Sequence, residues 1–290
     1  MNKGKTKFLI IRFSSIGDVV LTTPVIRNLK NQFNGEIEIH YLTKKTFFPI
    51  LEHNPYIDKL VGIDKQVSEI KTELIAEQYD FIIDLHKNLR TLKVKRMLQA
   101  PSFSFDKINI EKWLMVNLKI NRLPAVHIVD RYLDTLNCWN IKNDEKGLDY
   151  FLGEEDTVKN LPDFCKKGYV AISTGAAHAT KALPREKMRK LCEGLGLPIV
   201  LLGGKEDIDK ASFVADGLSD VYNACGKYTI SQSAWILKNA QVVISHDTGL
   251  MHIASAFNKP IILLWGNTLP EFGMYPYMPG HPENSKIFEI

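Results

Sequence analysis

Short apolar runs alternate with longer amphipathic stretches along nearly the whole chain. The first run, residues 7–13, has no polar side chain between Lys7 and Arg12, as expected of a strand in a parallel sheet covered on both faces. Strand and helix patterns alternate about six times in the first half, which predicts an open parallel sheet between layers of helices. Pro24 either starts or kinks the helix predicted over residues 19–33. The predicted strands of this half are 7–13, 36–41, 59–63, 79–85 and 102–105, and the predicted helices are 19–33, 47–51, 67–78, 89–98, 108–120 and 128–140.

The alternation stops over residues 148–167 and then restarts. This segment carries Gly153, three consecutive acids and Pro162 without periodicity, which is typical of a domain boundary. It divides the chain into residues 1–150 and residues 151–290. Two such patterns predict an α/β protein with two Rossmann-like, doubly wound domains that face each other across a cleft. The predicted strands of the second half are 169–173, 198–202, 221–223, 241–245, 260–265 and 286–290, with helices over 184–195, 208–217, 230–238 and from residue 249 onward.

Composition and charge narrow the class of protein only slightly. The 290 residues are 45% hydrophobic and 24% charged, which is ordinary for a globular protein. A net charge of +4 is mild and favours an anionic ligand or an anionic membrane surface, and no stretch resembles a nucleic-acid-binding tract. No apolar run is long enough for a spanning helix or a signal peptide. The four cysteines lie far apart without a C-x-x-C pair, which favours a reducing cytoplasm.

The most informative turn follows the strand at residues 241–245. It reads Asp247-Thr248-Gly249-Leu250 and leads into a helix that carries His252. The turn after a parallel strand meets a helix N-terminus there, and free backbone N–H groups at such a terminus bind phosphate. Asp and Thr are also favoured helix caps, so capping alone explains the turn equally well on local grounds. The nearby histidine and the close approach that Gly249 permits favour a nucleotide diphosphate.

Two other turns of the second half offer groups for the same ligand. Thr174, Gly175, Thr180 and Lys181 follow the strand at 169–173, and a lysine there can neutralise a diphosphate leaving group. Glu206 follows Gly203-Gly204 and can bind a ribose hydroxyl, as acids do in dinucleotide folds. The alternatives are a solvated lysine and an acid that is favourable in the first turn of a helix.

In the first half, Asp18 follows the first strand within Ser14-Ser15-Ile16-Gly17-Asp18. A carboxylate at such a strand end can act as a general base toward an acceptor hydroxyl, although capping again explains it locally.

Neither a G-x-G-x-x-G nor a Walker A sequence occurs, so a nicotinamide, flavin or P-loop site is not indicated. No carboxylate pair or His/Cys/Asp cluster calls for a metal, and neither a metal nor a cofactor is expected. Lys87 and Arg90 begin a basic helix face and can reach an anionic acceptor.

Six segments together resemble the heptosyltransferases of glycosyltransferase family 9. The first is Ile-Ile-Arg-Phe-Ser-Ser-Ile-Gly-Asp-Val-Val-Leu-Thr-Thr-Pro over residues 10–24, and the last is Ser-His-Asp-Thr-Gly-Leu-Met-His-Ile-Ala-Ser-Ala over residues 245–256. The segments occur in the family's order and extend along nearly the whole chain. The other four are residues 79–90, 127–132, 180–184 and 201–207.

The resemblance implies a GT-B fold with an acceptor-binding domain first and a nucleotide-sugar domain second. It implies inverting, metal-independent transfer of a heptose from an ADP-sugar to the lipopolysaccharide inner core. Asp18 matches the proposed base. Ser15, Lys87, Arg90 and Arg131 are the predicted acceptor contacts, and the predicted nucleotide contacts are Thr174, Gly175, Thr180, Lys181, Glu206, Asp247, Thr248, Gly249, Leu250 and His252. We expect a monomer in the cytoplasm whose glycolipid acceptor would bring it to the inner face of the membrane.

The chain departs from the family at two places. The family continues the lysine as Lys-Arg-Trp-Pro, where this chain has Lys181-Ala182-Leu183-Pro184. The family also ends in a helix that packs back on the first domain, and no such helix is evident before Ile290, so a reduced closing element or a shortened form is expected. Rival functions are a non-catalytic nucleotide-sugar binder, a transferase of another sugar for another surface glycan, and a sugar-nucleotide epimerase.

Overall fold

The computed structural model describes residues 4–175, 183–266 and 270–289, without the side chains of Pro270 and Glu289. The chain divides into two compact units: Met1–Phe151 with Pro270–Met274, and Leu152–Leu269 with Tyr275–Ile290. None of the helices in the described ranges has both the length and the apolar character needed to cross a bilayer.

The first unit is built on five parallel strands in the order β3-β2-β1-β4-β5. The strands are β1 (Thr6–Ile11), β2 (Ile37–Lys44), β3 (Lys59–Ile63), β4 (Phe81–Asp84) and β5 (Ser102–Ser104). The helices are α1 (Ile16–Val20), α2 (Thr23–Gln32), α3 (Lys71–Ala76), α4 (Leu89–Leu98), α5 (Asn109–Trp113) and α6 (Ile128–Leu133). Shorter helical turns cover Lys45–Ile50, Val67–Ile70, Leu114–Leu118 and Asp134–Trp139.

Helices cover both faces of this sheet. Successive side chains of a strand point to opposite faces, so β1 contributes to two cores. Leu9 and Ile11 belong to a buried cluster that includes Leu74 of α3 and Val94 of α4. On the other face, the ring of Phe8 packs against Phe33 after α2 and against Trp139, and other rings of β4 and β5 also contact that tryptophan.

Four predicted helices of this unit are divided into shorter pieces, and one of them, predicted over residues 67–78, is a 3-10 turn over Val67–Ile70 followed by α3. The helix predicted over residues 19–33 is two helices, and Pro24 lies in the first turn of α2, where its missing N–H costs no hydrogen bond. The helix predicted over residues 108–120 passes from α5 into a π-helical turn. The one predicted over residues 128–140 passes from α6 into a 3-10 turn. Side-chain periodicity does not distinguish these helix types because their periods are similar over one or two turns.

The second unit is built on six parallel strands in the order β11-β10-β9-β6-β7-β8. Counted from its own first strand, this is the Rossmann order. The strands are β6 (Val170–Ser173), β7 (Ile199–Leu202), β8 (Val221–Asn223), β9 (Val242–Ser245), β10 (Ile261–Trp265) and β11 (Ser285–Glu289). The helices are α7 (Arg185–Leu195), α8 (Ile208–Ala215), α9 (Ile230–Asn239) and α10 (Gly249–Ala256).

One face of the second sheet packs on α7 and α8, where Met188 and Val214 join a buried cluster with Ile172 and Leu201. The other face is next to α9 and α10, and the hydroxyl of Tyr169, just before β6, donates to the Ile236 carbonyl of α9 at 2.7 Å. The predicted class, α/β with two doubly wound parallel sheets, is confirmed.

A buried arginine of α2 binds residues 144–149, near the end of the first unit. Arg27 of α2 is 3% exposed, and its guanidinium donates to both carboxylate oxygens of Asp144 at 2.8 Å. It also donates to the Gly147 carbonyl at 2.8 Å and to Asp149. Burial raises the pKa of Asp149, and the charge of Arg27 opposes that rise. The segment 144–149 therefore depends on one cation for its place against α2.

We predict that Arg27→Met lowers the free energy of unfolding of the first unit by about 3–5 kcal/mol, because it leaves partly buried carboxylates without their cation. Urea denaturation followed by circular dichroism measures the loss. The matched control is Lys166→Met, which removes an exposed partner of Asp163 and should leave the free energy of unfolding nearly unchanged. Equal losses in the two variants would contradict the structural role of Arg27.

Candidate active site

Each sheet has one point where neighbouring strands connect in opposite directions along the sheet. In the first sheet this point lies between β1 and β4, and in the second it lies between β6 and β9. Open α/β sheets bind ligands at the carboxyl ends of the strands at such points. The residues that follow these four strands are therefore the candidates for chemistry, and they include most of the residues predicted from the sequence.

Asp18 lies at the switch point of the first sheet, in the first turn of α1. Its Oδ1 forms an ion pair with Arg12 Nη2 at 2.8 Å. Its Oδ2 accepts hydrogen bonds from the Ser15 hydroxyl at 2.9 Å and from the Ser15 backbone N–H at 3.2 Å. The side chain thus caps α1, as the local alternative expected.

Arg12 positions this carboxylate and was not recognised as a site residue from the sequence. It is 9% exposed, and its guanidinium also donates to the Leu85 carbonyl at 2.6 Å, the Tyr132 hydroxyl at 2.9 Å and the Ser14 carbonyl at 2.7 Å. One cation therefore joins the turns after β1 and β4 to α6. The sequence signal was present, because a lone charge closes an otherwise apolar strand.

His86, directly after β4, is a second unpredicted residue at this switch point. Its ring packs edge-on against Phe13 at 5.6 Å, and its buried Nδ1 has no hydrogen-bond partner among the described residues. Burial, together with the positive charges of Arg12 and Lys107, lowers the pKa of His86 to about 4. The imidazole is therefore neutral at pH 7.

The predicted acceptor contacts of the first unit occupy different environments. Lys87 is exposed after β4, and Arg90 of α4 lies over the Phe13 ring at 5.2 Å, so both are at the Asp18 edge of the sheet. Arg131 is 4% exposed, and its guanidinium donates to the Phe272 carbonyl at 3.0 Å. Its contacts hold residues 270–274 against α6, and an acceptor contact of Arg131 stays a prediction.

In the second unit, the turn after β9 leads directly into α10. Thr248 is the N-cap residue of α10, and its side chain makes no capping hydrogen bond. Its hydroxyl lies 3.3 Å from that of Ser245 instead. Asp247, Thr248, Gly249 and Leu250 are all partly exposed, whereas His252 is 2% exposed inside the helix. The side chain of Thr248 therefore does not cap this helix N-terminus, which lies in a partly exposed turn.

The turns after β6 and β7 meet beside this helix N-terminus. Thr174 is fully buried, and its hydroxyl donates to the Leu202 carbonyl at 3.0 Å. A Cβ on Gly175 would overlap the carboxylate of Asp207, so glycine permits this close approach. Lys210 of α8 donates to the Thr174 carbonyl at 2.8 Å. Burial lowers the pKa of Lys210 and raises that of Asp207.

The structure therefore distinguishes two neighbouring acids that the sequence could not. Asp207 is partly buried and accepts from the Gly204 N–H at 2.9 Å. Glu206 is exposed, and its carboxylate lies over Gly204. A ribose contact by Glu206 stays a prediction. Lys210 went unnoticed because a lysine within a helix pattern looks like any solvated lysine.

The predicted residues Thr180 and Lys181 lie outside the described residues. The chain that follows them is anchored at Leu183, whose N–H donates to His246 Nε2 at 2.8 Å. His246 is 1% exposed directly after β9, and burial lowers its pKa to about 4. A neutral histidine thus connects the start of α7 to the switch point of the second sheet.

Neither switch point presents a cluster of metal ligands within the described residues. Among the described residues, the single group of side chains that could together hold a metal is Glu38, His40 and Glu77, at the amino ends of the first sheet's strands. Both carboxylate oxygens of Glu77 are already paired with lysines, Oε1 with Lys59 at 2.8 Å and Oε2 with Lys7 at 2.7 Å. This group is an ion-pair network, remote from the Asp18 edge of the sheet.

Comparisons with known proteins define the class. The model of glycosyltransferase family 9 (heptosyltransferase) matches residues 67–283. A Campylobacter coli protein named lipopolysaccharide heptosyltransferase 1 is 27% identical, over 90% of this chain and 84% of that one. A family 9 glycosyltransferase from Veillonella parvula superposes with a TM-score of 0.79 at 23% identity, covering 98% of this chain and 86% of that one. The E. coli heptosyltransferase WaaC with ADP-2-deoxy-2-fluoro heptose superposes with a TM-score of 0.70 at 22% identity, covering 98% of this chain and 93% of that one.

The protein is a glycosyltransferase with the GT-B fold. It belongs to glycosyltransferase family 9, the heptosyltransferase family, as the resemblance of its six segments predicted.

We predict that the ion-pair network of Glu77 stabilises the first unit only above acidic pH. Hydrogen bonds from Lys59 and Lys7 lower the pKa of Glu77 to about 2. An unfolded glutamate has a pKa of about 4.3, so the stabilisation is fully present above that pH and is lost as the pH falls toward 2. Glu77→Gln should therefore lower the thermal midpoint of unfolding at pH 7, and near pH 2 its thermal midpoint should equal that of the parent. Glu52→Gln, at a partly exposed acid, is the control. A pH-independent difference at Glu77 would contradict the assignment.

Proposed function

We propose that the protein transfers a heptose-type sugar from ADP-heptose to an inner-core acceptor of lipopolysaccharide, with inversion and without a metal. The observation that carries the proposal is Asp18, held by Arg12 at the switch point of a family 9 chain. The donor is supported by the ADP-2-deoxy-2-fluoro heptose of the similar E. coli structure. The acceptor is supported by relatives named lipopolysaccharide heptosyltransferases.

Asp18 acts as the general base. The carboxylate accepts the proton of the acceptor hydroxyl as that oxygen attacks the anomeric carbon. Attack from the face opposite the diphosphate forms the new glycosidic bond while the bond to the diphosphate oxygen breaks, which inverts the anomeric centre. Ser15 and Arg12 orient the carboxylate, and the guanidinium stabilises its negative charge.

The second unit binds the nucleotide. The open N-terminus of α10 at Thr248 and Gly249 donates backbone N–H groups to the diphosphate. Lys181 and Thr180 supply a cation and a hydroxyl, and the turn at Thr174 and Gly175 lies beside them in sequence. Asp247, Leu250 and His252 shape this turn, and Glu206 binds the ribose.

Side chains and backbone dipoles replace a metal at the leaving group. The diphosphate gains negative charge as it leaves, and preorganised cations and N–H groups stabilise that charge. We add Lys210 to these groups, because its ammonium lies at the Thr174 carbonyl. Among the described residues, the one group that could hold an ion lies at the opposite ends of the first sheet's strands.

The acceptor side of the proposal depends on positive charge at the Asp18 edge. Lys87 and Arg90 flank the turn after β4, and Lys107 acts electrostatically on His86 beside them. These cations suit the anionic groups of a lipopolysaccharide core. We propose a monomer in the cytoplasm that meets its glycolipid acceptor at the inner face of the membrane.

The base assignment predicts that Asp18→Asn lowers kcat by about 10²- to 10⁴-fold, the usual contribution of a general base. Asparagine keeps the size of the side chain, so the Kd for ADP should stay within about twofold of the parent. Asp64→Asn, at an exposed acid paired with Lys45, is the matched control and should keep full activity. A kcat within a few-fold of the parent in Asp18→Asn would overturn the assignment.

The nucleotide assignment predicts that ADP raises the thermal midpoint more than UDP or GDP does at equal concentration. Lys210→Met should weaken ADP binding by about tenfold, because a cation beside the diphosphate is lost. Lys187→Met, at an exposed position of α7, should leave the Kd unchanged. Calorimetric titration measures the Kd for ADP of both variants. A preference for UDP or GDP would overturn the ADP-sugar donor without affecting the family.

A further inference from the structure

A segment of the first unit exposes an unusual number of large apolar side chains. Residues 107–126 run from the turn after β5 through α5 and its π-helical turn to the start of α6. Ile110 is 72% exposed and Trp113 is 57% exposed. The other exposed large apolar residues of the segment are Val116, Leu118, Ile120 and Val126. Contiguous exposure of this kind marks an interaction surface.

Two of these residues lie on one side of α5, because Ile110 and Trp113 are three residues apart in that helix. Val116 and Leu118 are exposed in the π-helical turn that follows, and Ile120 continues the exposed apolar residues past that turn. Tryptophan is favoured where an apolar layer meets water because its ring is apolar and its N–H is polar.

The charges of the segment are mostly positive. Residues 107–126 contain four bases and one acid, a net charge of +3. Lys119 and Arg122 are exposed among the apolar residues. Apolar side chains interleaved with basic ones match the surface of an anionic bilayer, where both contribute to binding. Two copies of this surface would place like charges opposite each other, so self-association is disfavoured.

The inner end of the segment lies near the proposed base. Burial lowers the pKa of Lys107 and of Lys112, and the negative charge of Asp18 acts on both lysines in the opposite direction. Lys112 also lies over the Phe272 ring at 5.7 Å. The segment begins directly after β5, at the carboxyl edge of the same sheet that carries Asp18 after β1.

We propose that residues 107–126 form a membrane-docking surface that seats Ile110, Trp113 and Val116 in the headgroup region of an anionic bilayer, with Lys119 and Arg122 against its phosphates. The purpose of this surface rests on the proposed function, because a lipid-anchored acceptor presents its sugar at the bilayer surface. Docking there brings Asp18 to the acceptor while the lipid chains stay in the membrane.

The first test is flotation of the full chain with vesicles of phosphatidylcholine mixed with an equal amount of phosphatidylglycerol. The chain should float with these vesicles and not with pure phosphatidylcholine, and added salt should weaken the binding. Of the four tryptophans, Trp113 is the exposed one, so its emission should shift to shorter wavelength with the anionic vesicles. Trp113→Phe should keep the flotation and lose that shift.

Two multiple variants test the two contributions separately. Ile110→Ser/Trp113→Ser/Val116→Ser should lower partitioning by about tenfold or more, because it removes the inserted side chains. Lys119→Ser/Arg122→Ser should lower it by about 30-fold. The matched control, Ile75→Ser/Leu197→Ser/Ile287→Ser, removes exposed apolar residues elsewhere and should float like the parent. All of these positions are exposed, and circular dichroism checks that each variant folds.

Three results would overturn the proposal. The first is failure of the chain to float with anionic vesicles, and the second is flotation of the apolar triple variant to the same extent as the parent. Sedimentation may show a dimer of the lipid-free chain that this triple variant dissociates, which would make the segment a self-association surface. Transfer to a delipidated acceptor separates the docking hypothesis from the proposed function. With this acceptor, the apolar triple variant should transfer sugar as fast as the parent. Absence of transfer by both the parent and the triple variant would refute the proposed function and leave the flotation result intact.

Discussion

The buried guanidinium of Arg12 holds the first unit's switch point together. A buried cation must be paired and hydrogen-bonded, because an unpaired one costs several kcal/mol, on the order of what a whole domain has to spare. Arg12 meets this requirement with Asp18, Tyr132 and the carbonyls of Ser14 and Leu85. The turns after β1 and β4 are therefore fixed relative to each other. The same contacts orient the carboxylate that we propose as the base.

The second unit builds its switch point by a different route. Within the described residues, several contacts organise it rather than one cation. Glycine at position 175 lets the Asp207 carboxylate approach the turn after β6, and Lys210 closes the turn from α8. His246 connects the turn after β9 to the start of α7. The N-terminus of α10 stays free of a threonine side-chain cap in the middle of these contacts, which is what an incoming diphosphate requires.

Most of the architecture could be predicted because the strands are short apolar or alternating runs that polar turns separate. Strands such as β3 and β8 and the helix α4 begin and end where the pattern places them. The predictions that were wrong concerned the type of helix and whether a helix is continuous. Around Pro24 and after Trp113 and Leu133, the helices break or change their hydrogen bonding, and such changes depend on backbone packing that side-chain spacing does not record.

The sequence by itself determined the alternation of strands and helices, the turns that carry chemistry, and membership of family 9, because long polar motifs after apolar strands are visible in one dimension. Only the tertiary structure decided which residues of those turns meet. Arg12 contacts Leu85 and Tyr132, Lys210 contacts Thr174, and His246 contacts Leu183, all of them distant in sequence, and the order of strands in each sheet brings these partners together. The sequence also could not distinguish Asp207 from Glu206, because burial against Gly175 depends on how two turns pack.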